Sequence, residues 1–143
     1  MTIEQVTSVT PTLVEAMNVL LPQLSTSAKA VTTEALEAIV TAPGTLLLVA
    51  IDDDRVVGTI TLITFALLTG RRALIEDVIV DESVRGRGIG VALVEEALSH
   101  ARRMGVSTID LTSRPAREAA NALYRKVGFV QRTTNVYRYS FED

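Results

Sequence analysis

The residues Arg85-Gly86-Arg87-Gly88-Ile89-Gly90 sit between an apolar run, Leu74 to Val80, and a run of helix formers reaching Met104. That order predicts a strand, a glycine-spaced loop and a helix start. Glycine lets the backbone come close to an anion. A helix N-terminus offers N–H groups without intrahelical partners and the positive end of a dipole. Together they make a phosphate cradle. Arg85 and Arg87 add cations that pair well with phosphate. Val91 occupies the place of a third glycine, so Gly-x-Gly-x-x-Gly is absent, and no Gly-Lys-Ser/Thr follows. The dinucleotide and nucleoside-triphosphate loops are therefore excluded. What remains is Arg-x-x-Gly-x-Gly between strand and helix.

A second segment, Ala119-Ala120-Asn121-Ala122-Leu123-Tyr124-Arg125-Lys126-Val127-Gly128-Phe129, follows after an intervening strand. It reads as a helix that carries Leu-Tyr and ends in Gly-Phe. The two motifs, in this order, resemble the signatures of the GNAT family of acetyl-CoA-dependent N-acetyltransferases. The resemblance covers about Ile75 to Tyr139; the first half of the chain matches in pattern only.

The resemblance implies acetyl-CoA as co-substrate, with its pyrophosphate against the backbone from Arg85 through Gly86, Arg87, Gly88 and Ile89 to Gly90. Gly88 and Gly90 match the family's glycines, and Arg85 its arginine or glutamine. Arg87 falls at a variable position, and a solvated surface arginine is an equal reading. The family uses backbone groups at the positions of Val78, Ile79 and Val80 to hold pantetheine. The side chains of these three read simply as core. Asn121 would touch the CoA arm, and Tyr124 would protonate the departing thiolate. Many members carry that asparagine seven positions before the tyrosine, where this chain has Arg117; others, including glucosamine-6-phosphate acetyltransferases, carry it three before, as here. The competing reading of Tyr124 is packing, since Ala120, Leu123, Tyr124 and Val127 form one stripe.

Glu76 and Asp77 are neighbours on a strand and are expected to face opposite sides. A carboxylate in a half-buried cleft has a raised pKa and can take a proton from an attacking ammonium. Glu76, expected to share a face with Val78 and Val80, is preferred as that base; a carboxylate paired to an arginine is the alternative. Asp110 is a weaker candidate, His100 reads as an exposed helix residue, and Ser113 as a turn residue that could meet ligand.

The positioning elements follow from pattern. Ile3–Val9 reads as a strand and Pro11 to about Leu20 as a helix, with Pro at its favoured first position and a break over 21–25. Thr32 or Thr33 can cap a second helix to about Val40. Thr45–Ile51 and Val56–Leu67 read as hairpin arms about the turn at Asp52-Asp53-Asp54, and Arg72–Val80 as the next strand. Ile89–Met104 is a helix with Leu93, Val94, Ala97, Leu98 and Ala101 on one stripe. Thr108–Leu111 is a strand and Arg117–Val127 a helix stopped by Gly128. Phe129–Arg132 and Asn135–Phe141 read as two final strands. The order βααβββαβαββ is that of the GNAT fold: mixed α/β, a mostly antiparallel sheet with helices on both faces. In that family the strands beside the phosphate loop splay, and pantetheine lies in the gap.

At 143 residues the chain, 1–143, reads as a single domain. Its formal net charge of −3 gives no bulk attraction to nucleic acid or acidic membranes. It has no cysteine and one histidine, so neither a thiolate nucleophile nor a histidine or thiolate metal site is expected. No apolar segment is long enough to span a bilayer, and a cytoplasmic protein is expected. The expected activity is acetyl transfer from acetyl-CoA to a primary amine, by direct attack in a ternary complex. The acceptor is read as a small molecule. A protein lysine or N-terminal acetyltransferase and a non-catalytic acyl-CoA-binding regulatory module are the rivals. An alternating aromatic C-terminal run, Asn135 to Phe141, suggests a homodimer.

Overall fold

The computed structural model describes residues 1–142. These divide into two compact units, 1–112 and 113–142, and each is described by itself.

The first unit is a sheet clad by three helices. Its strands are β1 (Thr2–Gln5), β2 (Thr45–Asp52), β3 (Arg55–Leu67), β4 (Gly70–Val80) and β5 (Thr108–Asp110). They lie in the order β1-β2-β3-β4-β5. All pairs are antiparallel except β4–β5, which is parallel. The parallel pair follows from the crossover through α3 (Ile89–Arg103). The hairpin between β2 and β3 turns at Asp53 and Asp54, with φ of 49° and 58°. A two-residue turn of that hand matches the twist of the strands, and Asp is among the few side chains that accept it.

Helices α1 (Pro11–Leu24) and α2 (Thr33–Thr41) cover one face of the sheet. Thr10 and Thr32 cap them, accepting from the N–H groups of Leu13 and Ala35. Leu13, Met17, Leu20 and Leu36 pack there with Leu47, Val49 and Ile79. On the opposite face lies α3, whose Leu93, Val94, Ala97 and Ala101 are fully buried. A side chain at Gly58 would meet Leu93 Cδ1 at 3.1 Å, so this position keeps the helix close to the sheet. Alternation within the pairs Leu48–Ile60, Ala50–Gly58 and Leu62–Ile75 places these residues on the α3 side.

Three expectations need correction. The helix α1 does not break at residues 21–25; it runs through Pro22 to Leu24. Proline in a helix interior costs about 3 kcal/mol, but here it loses a bond only in the last turn. Leu21 and Leu24 pack on the core beyond it, and burying a leucine gains about 1.5–3 kcal/mol. The first strand stops at Gln5 rather than Val9, because the chain must turn into the Thr10 cap.

The third correction concerns the second unit. It contains α4 (Glu118–Val127), ended by Gly128 at φ 119°. Neither Phe129–Arg132 nor Asn135–Phe141 forms a strand among the described residues. The alternation is present, but no backbone ladder is, and a strand exists only when another strand bonds to it.

Candidate active site

The edge of β4 changes character halfway along. β5 accompanies it from the Arg72–Thr108 pair to the Leu74–Asp110 pair. β4 continues to Val80, still paired to β3 at Gly58. From Ile75 to Val80 its other edge has no strand partner among the described residues. Val78, Ile79 and Val80 thus have main-chain groups on an open strip, while the side chain of Ile79 packs in the α1–α2 core.

Within that strip the register slips. Thr61 pairs with Glu76 and Thr59 with Ile79, so β4 carries one residue more than β3. The extra residue is accommodated at Asp77, whose φ is 50°. Such a bulge reverses which side the later residues face. Glu76 therefore shares a face with Ile79 and lies opposite Val78 and Val80, contrary to the strict alternation expected. Both Glu76 and Asp77 are exposed. Burial, the argument for Glu76 as a proton acceptor, is absent in this structure.

After Val80 the chain makes a 3₁₀ turn, Glu82–Val84. Asp81 caps it, its Oδ1 accepting from Ser83 N–H and Ser83 Oγ, each at 3.0 Å. These bonds, the backbone one foremost, hold the Asp81 pKa below its ordinary value. Gln23 Oε1, from the last turn of α1, accepts from the Glu82 N–H at 2.9 Å. Val84 is buried and anchors the turn. The strand–loop–helix path is thus braced before the glycines begin.

Gly86 and Gly88 have φ of 81° and 79°, a left-handed conformation that a β-branched residue does not adopt without strain. Gly88 is the N-cap of α3, and no side chain caps that helix. The N–H groups of the first turn, Ile89 and Gly90 among them, are left for an external acceptor. A Cβ at Gly86 or Gly88 would meet no atom within 4 Å, so open space lies above the loop. A row of free N–H groups at a positive dipole end, with room above it, fits an anion such as a pyrophosphate.

The two arginines behave differently from simple phosphate ligands. Arg85 Nε donates to the Val80 carbonyl at 3.3 Å, closing the loop on its own strand. Arg87 pairs with Asp52 at 3.1 Å, at the end of β2. An exposed pair of this kind contributes about 0.2–1 kcal/mol, so Arg87 can exchange Asp52 for a bound anion at little cost.

In the second unit, Asn121 donates through Nδ2 to the carbonyls of Arg114 and Arg117, at 2.9 and 2.8 Å. Its amide staples the turn before α4, and its Oδ1 is what remains for a ligand. Tyr124 is 7% exposed and meets Phe129 edge to face, with ring centroids 6.0 Å apart. The Gly-Phe end of the motif thus supports the tyrosine ring. Burial raises the pKa of the Tyr124 hydroxyl, with Arg117 opposing the shift. The Ser113 Oγ is buried without a hydrogen-bond partner among the described residues. His100 pairs with Glu96 at 3.3 Å on α3, and Asp110 is exposed at the end of β5.

The acetyltransferase (GNAT) family model matches residues 13–129, across both units. The chain belongs to this family. It is 34% identical over 70 residues to glucosamine 6-phosphate N-acetyltransferase 1 of Oryza sativa subsp. japonica, a match covering 49% of this chain and 41% of that protein. It is 37% identical over 57 residues to mycothiol acetyltransferase of Propionibacterium freudenreichii, covering 40% and 18%. The chain thus matches less than half the length of these relatives. The structure superposes on glucosamine-6-phosphate N-acetyltransferase from Arabidopsis thaliana with a TM-score of 0.80 at 22% identity, covering 99% of this chain and 100% of that one. The last comparison establishes the shared GNAT fold. No helix among the described residues is long and apolar enough to cross a membrane.

Proposed function

We propose that the chain transfers an acetyl group from acetyl-CoA to a primary amine of a small-molecule acceptor, by direct attack within a ternary complex. The observation that carries this reading is the uncapped start of α3 at a left-handed Gly88. Acetyl-CoA supplies the activated acyl group as a thioester. The backbone from Arg85 to Gly90 holds its pyrophosphate, and the open β4 strip at Val78, Ile79 and Val80 holds its pantetheine arm. An N–H on that strip stabilises the negative charge that develops on the thioester oxygen. By the family resemblance, Asn121 contacts the CoA arm, through the Oδ1 that its amide bonds leave free. We read both units as one catalytic domain, since the family match crosses their boundary.

Tyr124 gives its proton to the CoA thiolate as that group leaves. A thiol has a pKa of ~8.5 and a phenol ~10, and burial raises the phenol further. Tyr124 therefore carries its proton across the whole working range and is restored by solvent after each turnover. Glu76 accepts the proton of the attacking ammonium, through water, since it is exposed. The small-molecule acceptor is supported by what the names of two relatives specify, glucosamine 6-phosphate and mycothiol. A homodimer and a cytoplasmic location belong to the same reading.

The test is acetyl-CoA binding followed by thiol release with a panel of amines. Ligand at a hundredfold excess over its Kd stabilises a native state by about 2.7 kcal/mol, so a clear rise in Tm is expected. No rise at millimolar acetyl-CoA overturns the reading. Binding without turnover on any amine supports the regulatory-module alternative. Turnover on peptides alone supports the protein acetyltransferase. Tyr124→Phe keeps the ring and removes the hydroxyl; kcat is expected to fall by about ten- to a thousand-fold at nearly unchanged acetyl-CoA affinity. A parental kcat in a folded variant removes Tyr124 from the mechanism.

A further inference from the structure

A hollow of about 320 Å³ lies where the connection from β1 to α1 passes the last turns of α2. Thr7, Ser8 and Val9 line it from the connection, and Glu37, Val40 and Thr41 from the helix. Sites for small molecules start at about that size, roughly 300–1,000 Å³. Val9 and Val40 are half-buried and pack on the α1–α2 core, so they give the hollow an apolar floor. Thr7, Ser8, Glu37 and Thr41 are exposed around it.

The electrostatics of the hollow have one sign. No ion pair among the described residues engages the Glu37 carboxylate. Thr41 Oγ1 donates to the Glu37 carbonyl at 2.8 Å, so its lone pairs are left to accept. The last turn of α2 carries no basic residue, and the negative end of the helix dipole is therefore uncompensated. The first fifty residues hold Glu4, Glu15, Glu34 and Glu37 against one cationic side chain, Lys29. Lys29 precedes the start of α2 and lies at the other end of that helix from Thr41.

We propose that this hollow binds a small organic cation with an apolar body, of the amidinium, guanidinium or ammonium class. Glu37 pairs with its charge through charge-assisted hydrogen bonds. The oxygens of Thr7, Ser8 and Thr41 accept its remaining N–H groups, and Val9 and Val40 receive its apolar part. The hollow is remote from the glycine loop. α2 leads into β2 at Thr45, which pairs with Ile63 of β3, whereas the loop leaves β4 at Val80, opposite Gly58. From Gly58 to Ile63 the strand rises about 17 Å, at ~3.3 Å per residue. An occupant of the hollow leaves the anion cradle free. The inference is independent of the acetyl-transfer reading, and its test uses no acetyl-CoA.

Benzamidine is the probe, and benzamide, of the same shape but uncharged, is the control. In an amide NMR titration, millimolar benzamidine is expected to shift the signals of Thr7, Ser8, Val9, Glu37, Val40 and Thr41 saturably. Benzamide is expected to bind about threefold or more weakly, as loss of an accessible ion pair requires. Glu37→Gln is expected to weaken benzamidine by the same factor and to leave benzamide unaffected, and its spectrum reports whether it is folded. Absence of shifts at millimolar benzamidine, or shifts confined to other residues, overturns the proposal. Equal affinity for the two compounds does so without any variant, and so does a folded Glu37→Gln chain that binds benzamidine as the parent does.

Discussion

The loop from Asp81 to Gly90 and the segment from Phe129 to Phe141 both present backbone that their own neighbours do not satisfy, yet they are opposite kinds of surface. The loop is braced: Asp81, Gln23 and Arg85 hold its path, and Val84 anchors it. Its few free N–H groups converge at a helix end, and no bulky side chain stands over them. The segment is unbraced, its free groups are spread along a line, and large apolar side chains flank them. Converging donors on a fixed frame suit a small anion. Donors and acceptors in a row, dressed with aromatics, suit another strand. The difference lies in the support behind the groups, not in their number.

Disrupting the fixed frame at its centre has the largest expected consequence. Gly88→Val forces a β-branched residue into a left-handed conformation, a strain of about 1–3 kcal/mol, and fills the space above the loop. Acetyl-CoA affinity is expected to fall by about 5- to 150-fold, read by calorimetry. If the variant folds and binds as the parent does, the loop is not the anion site. An intermediate effect is expected from Arg87→Gln, which removes the Asp52 pair and any phosphate contact. If Arg87 does meet phosphate, affinity falls about threefold or more and the dependence on salt weakens; an unchanged Kd makes it a surface arginine held by Asp52.

The smallest effect concerns the brace. The Asp81 pKa is lowered in the folded state, so its stabilisation is complete above the unfolded value of ~3.9. That stabilisation is lost as pH falls through the lower folded value. Asp81→Asn is therefore expected to lower Tm slightly at neutral pH and to match the parent once the pH is well below the lowered folded-state pKa. A Tm difference that persists in acid would mean that the side chain's shape, and not its charge, holds the turn.

What the sequence announces and what it withholds divide along the same lines. Gly86, Gly88 and Gly128 were legible because a left-handed turn is a local need, written at the position that has it. Pro11 at the start of α1 and a threonine cap on α2 were legible for the same reason, whereas the Thr10 cap was not read. The bulge at Asp77 was not, because it exists only in register with β3, and an aspartate rather than a glycine takes the positive φ. Glu76 was accordingly assigned to the wrong face. The Arg87–Asp52 pair joins residues 35 apart, with no local trace. Asp81-x-Ser83 did carry a readable signal, an acidic cap two residues before its donor. Pro22 misled because proline marks a cost, and only the packing of Leu21 and Leu24 shows that the cost is met. The alternation from Asn135 to Phe141 led to a strand that the described residues do not form, because a pattern cannot name its partner.

The bulge in β4 acts as a half-period phase shifter. Ahead of it, Ala73 and Ile75 are set by the α3 side of the sheet; behind it, Ile79 is set by the α1–α2 side. The strand thus serves two cores in sequence with apolar residues at odd numbers throughout, though those residues face opposite ways. Losing Asp77 alone would return the strand to plain alternation and leave Ile79 opposite Thr59, on the same core. Flattening the bulge with Asp77 kept in the ladder would instead turn Ile79 from one core to the other and launch the loop from the reverse side of the sheet. The bulge, rather than any one side chain, is what this strand has least freedom to lose.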